Sequence, residues 1–281
     1  CELLLEARAN LEAVDLRKGT PLRYGINDEG REAVALLLQR QASVHAGDQR
    51  GLTCLHLAVR QGDAALCWQL LEARADADAQ DSNNSRPMHV ATFFAKTEVA
   101  ALLLEWKASV NAKDADGESP LHVVAKQGSS EFCTWLVASG AELDVRDVER
   151  RTPLHVAAQS HKEEIVAVLL KKHMEANAAD ARGTTPLHIA AGIGAVDICE
   201  RLLAADAELD KQDVQGGTPL HFAAGASKDL SVKFLLDRRA SLDVMDSRGL
   251  SVLHAAAGDG SVTICQELLN ARATADMRSS K

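Results

Sequence analysis

Seven of the ten histidines in this 281-residue chain fall on one lattice: His56, His89, His122, His155, His188, His221 and His254, each 33 residues after the last. A column of imidazoles suggests metal ligation or proton transfer. A second column is carboxylate, with Asp15, Asp48, Asp81, Asp114, Asp147, Asp180, Asp213 and Asp246 on the same period. Paired acids could serve as general acid and base. A third is thiol: Cys1, Cys67, Cys133, Cys199 and Cys265 stand 66 residues apart, with Cys54 outside that series. A thiol with a neighbouring base could be a nucleophile. None of the local signatures that accompany such chemistry is present: no H-E-x-x-H, C-x-x-C, G-x-S-x-G or G-x-x-x-x-G-K.

The elements that must position these columns are clearest from Asp180 to Gln212, DARGTTPLHIAAGIGAVDICERLLAADAELDKQ. Thr185 is a helix N-cap whose hydroxyl can accept from an orphan backbone N–H. Pro186 takes the first helical position, where a missing N–H costs nothing. His188 falls three residues after the cap and can answer it as the Glu of a capping box does. Leu187, Ala190 and Ala191 share a helical face, Gly192 and Gly194 end the helix, and Ile198, Cys199, Leu202 and Leu203 form a second apolar stripe. Two short helices with one apolar face each need neighbours to bury those faces.

The neighbours recur without insertion. The proline slot reads Pro21, Cys54, Pro87, Pro120, Pro153, Pro186, Pro219 and Val252, and leucine pairs close the second helices from Leu37-Leu38 to Leu268-Leu269, with Leu136-Val137 as the variation. A fixed period of this length marks a stacked repeat array. In this register the chain resembles the ankyrin-repeat family, whose signature contains T-P-L-H-x-A. The resemblance covers essentially the whole chain. Residues 1–14 align with the second helix of a truncated repeat, residues 15–278 with eight repeats in one continuous array, and 279–281 form a polar tail. Because the chain starts in mid-repeat without Met, it reads as a segment of a longer protein. The implied fold is an all-α solenoid of stacked helix-turn-helix repeats with β-hairpin fingers.

Stacking changes the reading of the three columns. Successive layers lie roughly 8–10 Å apart, whereas zinc ligands must approach to about 2.1 Å, so the histidines are structural. The aspartates are expected to accept turn N–H groups. Cysteines in alternate layers exceed the ~7 Å Cα separation of a disulfide and serve as small core hydrophobes. Unpaired thiols fit a reducing, intracellular setting, cytoplasmic or nuclear. The prediction is therefore a monomer without catalytic residues, metal or cofactor. A formal charge of −9 argues against nucleic-acid phosphate as partner. The longest apolar run, Ile189 to Val196, is far short of the ~20 residues that insert into a membrane. No targeting segment is evident at the start of the chain.

Departures from the pattern predict local weakness. In the repeat from Asp15, Arg23 replaces His, Gly25 replaces Ala and Lys18 takes the turn-glycine slot, so its first helix should be short or frayed. In the repeat from Asp81, Asn84 stands for Gly, Arg86 for the capping Thr, Met88 for Leu and Ala95 for Gly. A lost cap costs about 1 kcal/mol. His161 also occupies a glycine slot, so its turn should be strained or reshaped. Arg8, Arg74, Lys107, Arg239 and Arg272 stand where the family has Gly after the second helix, and Gly140 conforms. Each left-handed non-glycine residue costs of order 1 kcal/mol.

What remains for function is surface. The resemblance implies that fingers and first helices line a concave groove gripping a protein or peptide. Its finger positions include Arg50, Asp116, Glu118, Glu149 and Arg151, and its helix positions Arg60, Gln61, Phe93, Phe94, Lys126 and Gln127. Six of the eight Trp and Phe residues, Trp68, Phe93, Phe94, Trp106, Phe132 and Trp135, lie between 68 and 135. Aromatics dominate binding hot spots, so Phe93 and Phe94, flanked by Arg60 and Lys126, are the expected centre, and the tryptophans suggest outer-face or packing positions. The alternative is a regulatory or substrate-recruiting segment of a larger enzyme (a kinase, acyltransferase or ubiquitin-ligase adaptor) or of a channel. Asn111 and Asn177 occupy a slot that family members can hydroxylate.

Overall fold

The computed structural model describes residues 10–26 and 30–271. Cys1, Arg8, Arg272 and the polar tail lie outside the described residues. Helices come in pairs, one pair per repeat: α1 Pro21–Tyr24 and α2 Arg31–Gln39, α3 Cys54–Gln61 and α4 Ala64–Glu72, α5 Pro87–Phe93 and α6 Thr97–Glu105, α7 Pro120–Gln127 and α8 Ser130–Ala138. They continue with α9 Pro153–Gln159 and α10 Glu163–Lys171, α11 Pro186–Ile193 and α12 Val196–Ala204, α13 Pro219–Gly225 and α14 Asp229–Asp237, α15 Val252–Asp259 and α16 Val262–Asn270. The fold class is the expected all-α repeat solenoid. Residues Cys1–Val124 with Trp135–Ala141 form one compact unit, and Ala125–Thr134 with Glu142–Lys281 a second.

Inside each unit, first helices pack on first helices and second on second. In the first unit α3 meets α5 and α4 meets α6; in the second α9, α11, α13 and α15 pack in series. The core follows the apolar slots, with Leu55, Leu70, Met88, Leu103, Leu154, Ile165 and Leu169 all sealed from solvent. The leucine pairs divide their work. The first member is buried from Leu37 to Leu268; of the second members Leu269 is 49% exposed and Leu38, Leu104, Leu170, Leu203 and Leu236 are half-buried, with Leu71, at 1%, the exception. A 100° turn per residue carries the second member off the packed face.

The caps work through histidine. In the second unit, Nδ1 of His155 accepts the backbone N–H of Thr152 at 3.1 Å and lies 2.8 Å from its hydroxyl. Two donors facing one ring nitrogen place its lone pair there and the proton on Nε2. The Nε2–H then donates to the Thr184 carbonyl, 29 residues on, at 3.0 Å. His56 to Ser85, His89 to Glu118 and His188 to Gly217 repeat the stitch at 3.1–3.2 Å. The capping hydroxyl thus gives its proton to histidine. Where histidine is missing, Thr20 accepts the N–H of Arg23 at 3.3 Å. That first helix is only four residues long, as expected.

Arg86 breaks the pattern in the repeat from Asp81. His89 still accepts its backbone N–H at 3.2 Å, but a guanidinium has no lone pair to offer the helix. Its Nε is buried without a partner, and its one ion pair, to Asp78, is long at 3.5 Å. Arg86→Thr is therefore expected to stabilise the fold by about 1 kcal/mol, read as a higher urea midpoint. A lower midpoint would show that the Asp78 pair outweighs the cap.

Each turn aspartate accepts two backbone N–H groups, as Asp48 does from Arg50 at 2.8 Å and Leu52 at 3.0 Å. The fingers are hydrogen-bonded turns, with a single backbone bond linking neighbouring tips, such as Gln49 N to the Arg17 carbonyl at 3.1 Å. Strand pairing is confined, among the described residues, to the bridge Met245–Ser251. The β-hairpin fingers expected from sequence are therefore tight turns, because one bond per layer cannot extend into a ladder. Gly192 also departs from expectation. It lies inside α11, and Gly194, at φ +87°, ends the helix. The left-handed substitutions are present: Lys18, Asn84, Ala95, His161, Arg74, Lys107 and Arg239 all have φ between +50° and +68°.

Candidate functional site

Both nitrogens of a stitched histidine are spent on structure. Desolvation by burial, against the opposing hydrogen bond to the Thr184 carbonyl, pushes His155 down to about 4. His56, His89, His188 and His221 are lowered by the same cause. Burial raises the Cys54 thiol to about 11 and those of Cys67, Cys133 and Cys199 to about 12. At neutral pH these are thiols, which are poor nucleophiles. Cys265, in the last repeat, is only partly covered. Among the described residues no three His, Cys, Asp or Glu side chains converge on a point that could hold a metal.

The surface offers more. In the first unit Phe93 closes α5 and Phe94 caps it. The helix stops there because Ala95 turns left-handed at φ +50°. The rings meet edge-to-face at 5.0 Å and remain 51% and 42% exposed. Arg60 and Gln61 end α3 at the equivalent positions one repeat earlier. Both are exposed, but the Gln61 amide is tied to the Ile26 carbonyl at 3.0 Å. Asp116 is exposed, and Glu118 is half-buried with its carbonyl occupied by His89. Lys126 and Gln127 are exposed and belong to the second unit.

Two hollows gather other candidates. One in the first unit, of about 680 Å³, brings Arg50 and Arg60 together with Arg17, Arg23, Tyr24 and Asp48. One in the second unit, of about 560 Å³, collects Glu149, Arg151, Arg182, Ile189, Ile193 and Phe222. Phe222 stacks edge-on against the stitched His188 at 5.0 Å. Arg151 is held down there by Asp147 at 2.8 Å and Glu149 at 3.3 Å, which makes it part of the wall. Phe93, Phe94, Gln61, Asp116, Glu118, Lys126 and Gln127 line neither hollow.

Reading the sequence missed Arg17, Arg23 and Tyr24 in one hollow and Ile189, Ile193 and Phe222 in the other. Arg23 had a signal, since it fills the histidine slot. In the fold it does the histidine's work, donating to the Leu52 carbonyl at 2.8 Å, 29 residues on, and to Asp48 at 2.6 Å. Of the aromatics, Phe132 is core at 1% exposure, while Trp68 and Trp106 remain 46% and 40% exposed. Both halves of the Asn177 amide are engaged, one with the Asp206 carbonyl at 2.9 Å and the other with the N–H of Glu208 at 2.7 Å. Asn111 reaches the Gly140 carbonyl at 3.2 Å.

Among the described residues no helix is long and apolar enough to cross a membrane. A family model described as Ankyrin repeats (3 copies) matches residues 22–114, 55–147, 96–180, 121–213 and 187–280. No curated protein gives a match. Ankyrin repeats are generally protein–protein interaction modules and typically non-catalytic. Turn aspartates and paired helices in every repeat, with histidine stitches at His56, His89, His155 and His188, agree with that match, and this chain belongs to the ankyrin-repeat family.

Proposed function

We propose that this chain is a non-catalytic scaffold that grips a protein or peptide through its fingers and the ends of its first helices. In the first unit the contact centres on Phe93 and Phe94. The supporting observation is the exposed edge-to-face pair itself. Two neighbouring rings left half in water are costly to keep exposed and strongly favourable to cover. They stand on a helix end that is badly capped at its start, so the local sequence gives up stability where it presents aromatic surface. The five unpaired cysteines among the described residues fit a reducing, intracellular location.

The test is affinity capture with the intact chain carrying Phe93→Ala and Phe94→Ala. Capture of the principal partner is expected to fall at least tenfold while the helical circular dichroism stays unchanged. Undiminished capture would remove the phenylalanine pair from the contact.

A further inference from the structure

We propose that the hollow between the first two fingers, lined by Arg17, Arg23, Arg50 and Arg60, docks an acidic, Asp/Glu-rich extended segment of the protein partner. The inference rests on the reading that this face of the repeats contacts protein, and it adds the partner's chemistry.

The charge there runs against that of the molecule. The chain carries a formal −9, yet among the described residues four guanidinium groups line one hollow beside two carboxylates. Both carboxylates are already engaged. Asp15 accepts the N–H groups of Arg17 at 2.8 Å and Gly19 at 2.6 Å, and the Tyr24 hydroxyl at 2.5 Å. Asp48 accepts the N–H groups of Arg50 and Leu52, and its second oxygen takes Arg23 at 2.6 Å. Arg23 is thereby fixed between Asp48 and the Leu52 carbonyl. Arg17, Arg50 and Arg60 are exposed, and among the described residues their side chains make no hydrogen bond or ion pair. Two other finger arginines are neutralised from within, Arg151 by Asp147 and Glu149 and Arg248 by Asp246, and Arg182, which is exposed, shares its hollow with the neutralised Arg151 rather than standing in a group of four.

Geometry adds a register. Arg17 and Arg50 hold the same finger position in successive repeats, and the bond from Gln49 N to the Arg17 carbonyl at 3.1 Å locks the two tips side by side. Stacked layers lie roughly 8–10 Å apart, and a segment extended in the polyproline II form turns once every three residues with a rise of about 3.1 Å per residue, so that every third side chain lies on one face. Carboxylates three residues apart therefore meet successive arginines. Arginine suits this task because its planar fork takes a carboxylate through two parallel hydrogen bonds.

The experiment is fluorescence anisotropy of the full chain with labelled twelve-residue peptides at low salt. One carries Glu at every third position in a Gly-Ser background, the second has Gln there and the third Lys. A twelve-nucleotide oligothymidylate is the competing polyanion. The Glu peptide is expected to bind at least tenfold more tightly than the Gln peptide and to be released by salt. Arg17→Ala, Arg50→Ala and Arg60→Ala together should weaken it at least tenfold, with partial rescue by lysine at the same three positions. These side chains are exposed, and unchanged helicity will show that the variants fold. Equal binding of the Glu and Gln peptides, no binding of the Glu peptide, or indifference to the triple substitution would overturn the proposal. Tighter binding of the oligonucleotide would reassign the hollow to nucleic acid. Each of these failures leaves the phenylalanine contact standing, because that contact is read by capture with Phe93 and Phe94 altered and all arginines in place.

Discussion

Lowering the pH from 7.5 to 4.5 is expected to strip several kcal/mol from the stability of the folded chain. His155 alone accounts for roughly 2–3 kcal/mol of this, from its displacement to about 4 in the fold against about 6.5 unfolded. Between those two values the unfolded chain binds a proton that the native ring refuses, so stability falls with pH. It is fully present above the unfolded value and is lost as pH drops towards the folded one. The refusal comes first from desolvation. The ring geometry adds to it, because a proton on Nδ1 would face the N–H and hydroxyl of Thr152. His56, His89, His188 and His221 shift in the same direction and deepen the loss. Asp246 acts later. Burial raises its carboxyl, but the N–H of Leu250 and the Arg248 side chain outweigh this and hold it below the usual range. Its contribution is therefore lost only below about pH 4. Urea midpoints by circular dichroism at the two pH values measure the effect, and His155→Gln should flatten the dependence. A midpoint that holds steady or rises on acidification would show that the stitched rings are not held neutral.

The second large effect comes from backbone strain. Ala95→Gly, His161→Gly and Ser227→Gly together should raise stability by about 2–3 kcal/mol, roughly 1 kcal/mol at each left-handed position. All three end first helices at φ between +50° and +53°. The equivalent positions elsewhere are Gly62, Gly128, Gly194 and Gly260, at φ +81° to +100°. Why some repeats keep glycine is visible in the next layer. A Cβ on Gly62 or Gly128 would come within 2.8 Å of the stem of Lys96 or Lys162, and on Gly194 within 3.2 Å of Lys228. In the second unit positions 161 and 227 are followed, one layer on, by Ala195 and Ser261, whose side chains are small, and in the sequence Ser129 holds the same slot after position 95. Alternate repeats thus differ as a matched pair, with the same 66-residue rhythm as the cysteines. A thermal midpoint that fails to rise in the triple variant would mean that the strain is relieved in some other way.

Much of this architecture is legible because its causes are local. A cap and the histidine three residues later, or an aspartate and the N–H groups two and four residues on, lie within one turn of chain. Their spacing in the sequence is their spacing in space. Gly192 misled for a related reason: glycine is common at helix ends, yet only the φ of +87° at Gly194 shows which of two neighbouring glycines stops α11.

The candidate site was less legible. The sequence alone determined the period, the helix pairs, the histidine and aspartate roles and the exposure of Phe93 and Phe94. Only the tertiary structure decided that Arg23 stands in for the missing histidine, that Arg151 is bound into its own finger, and that Arg17, Arg50 and Arg60 face one hollow. These outcomes depend on groups about 29 to 43 residues apart along the chain or on which acids and carbonyls reach a guanidinium first. A repeat period specifies how layers stack, because stacking buries the same apolar face each time. It leaves long charged side chains free to choose partners across layers, and that choice is settled only when the layers are in contact.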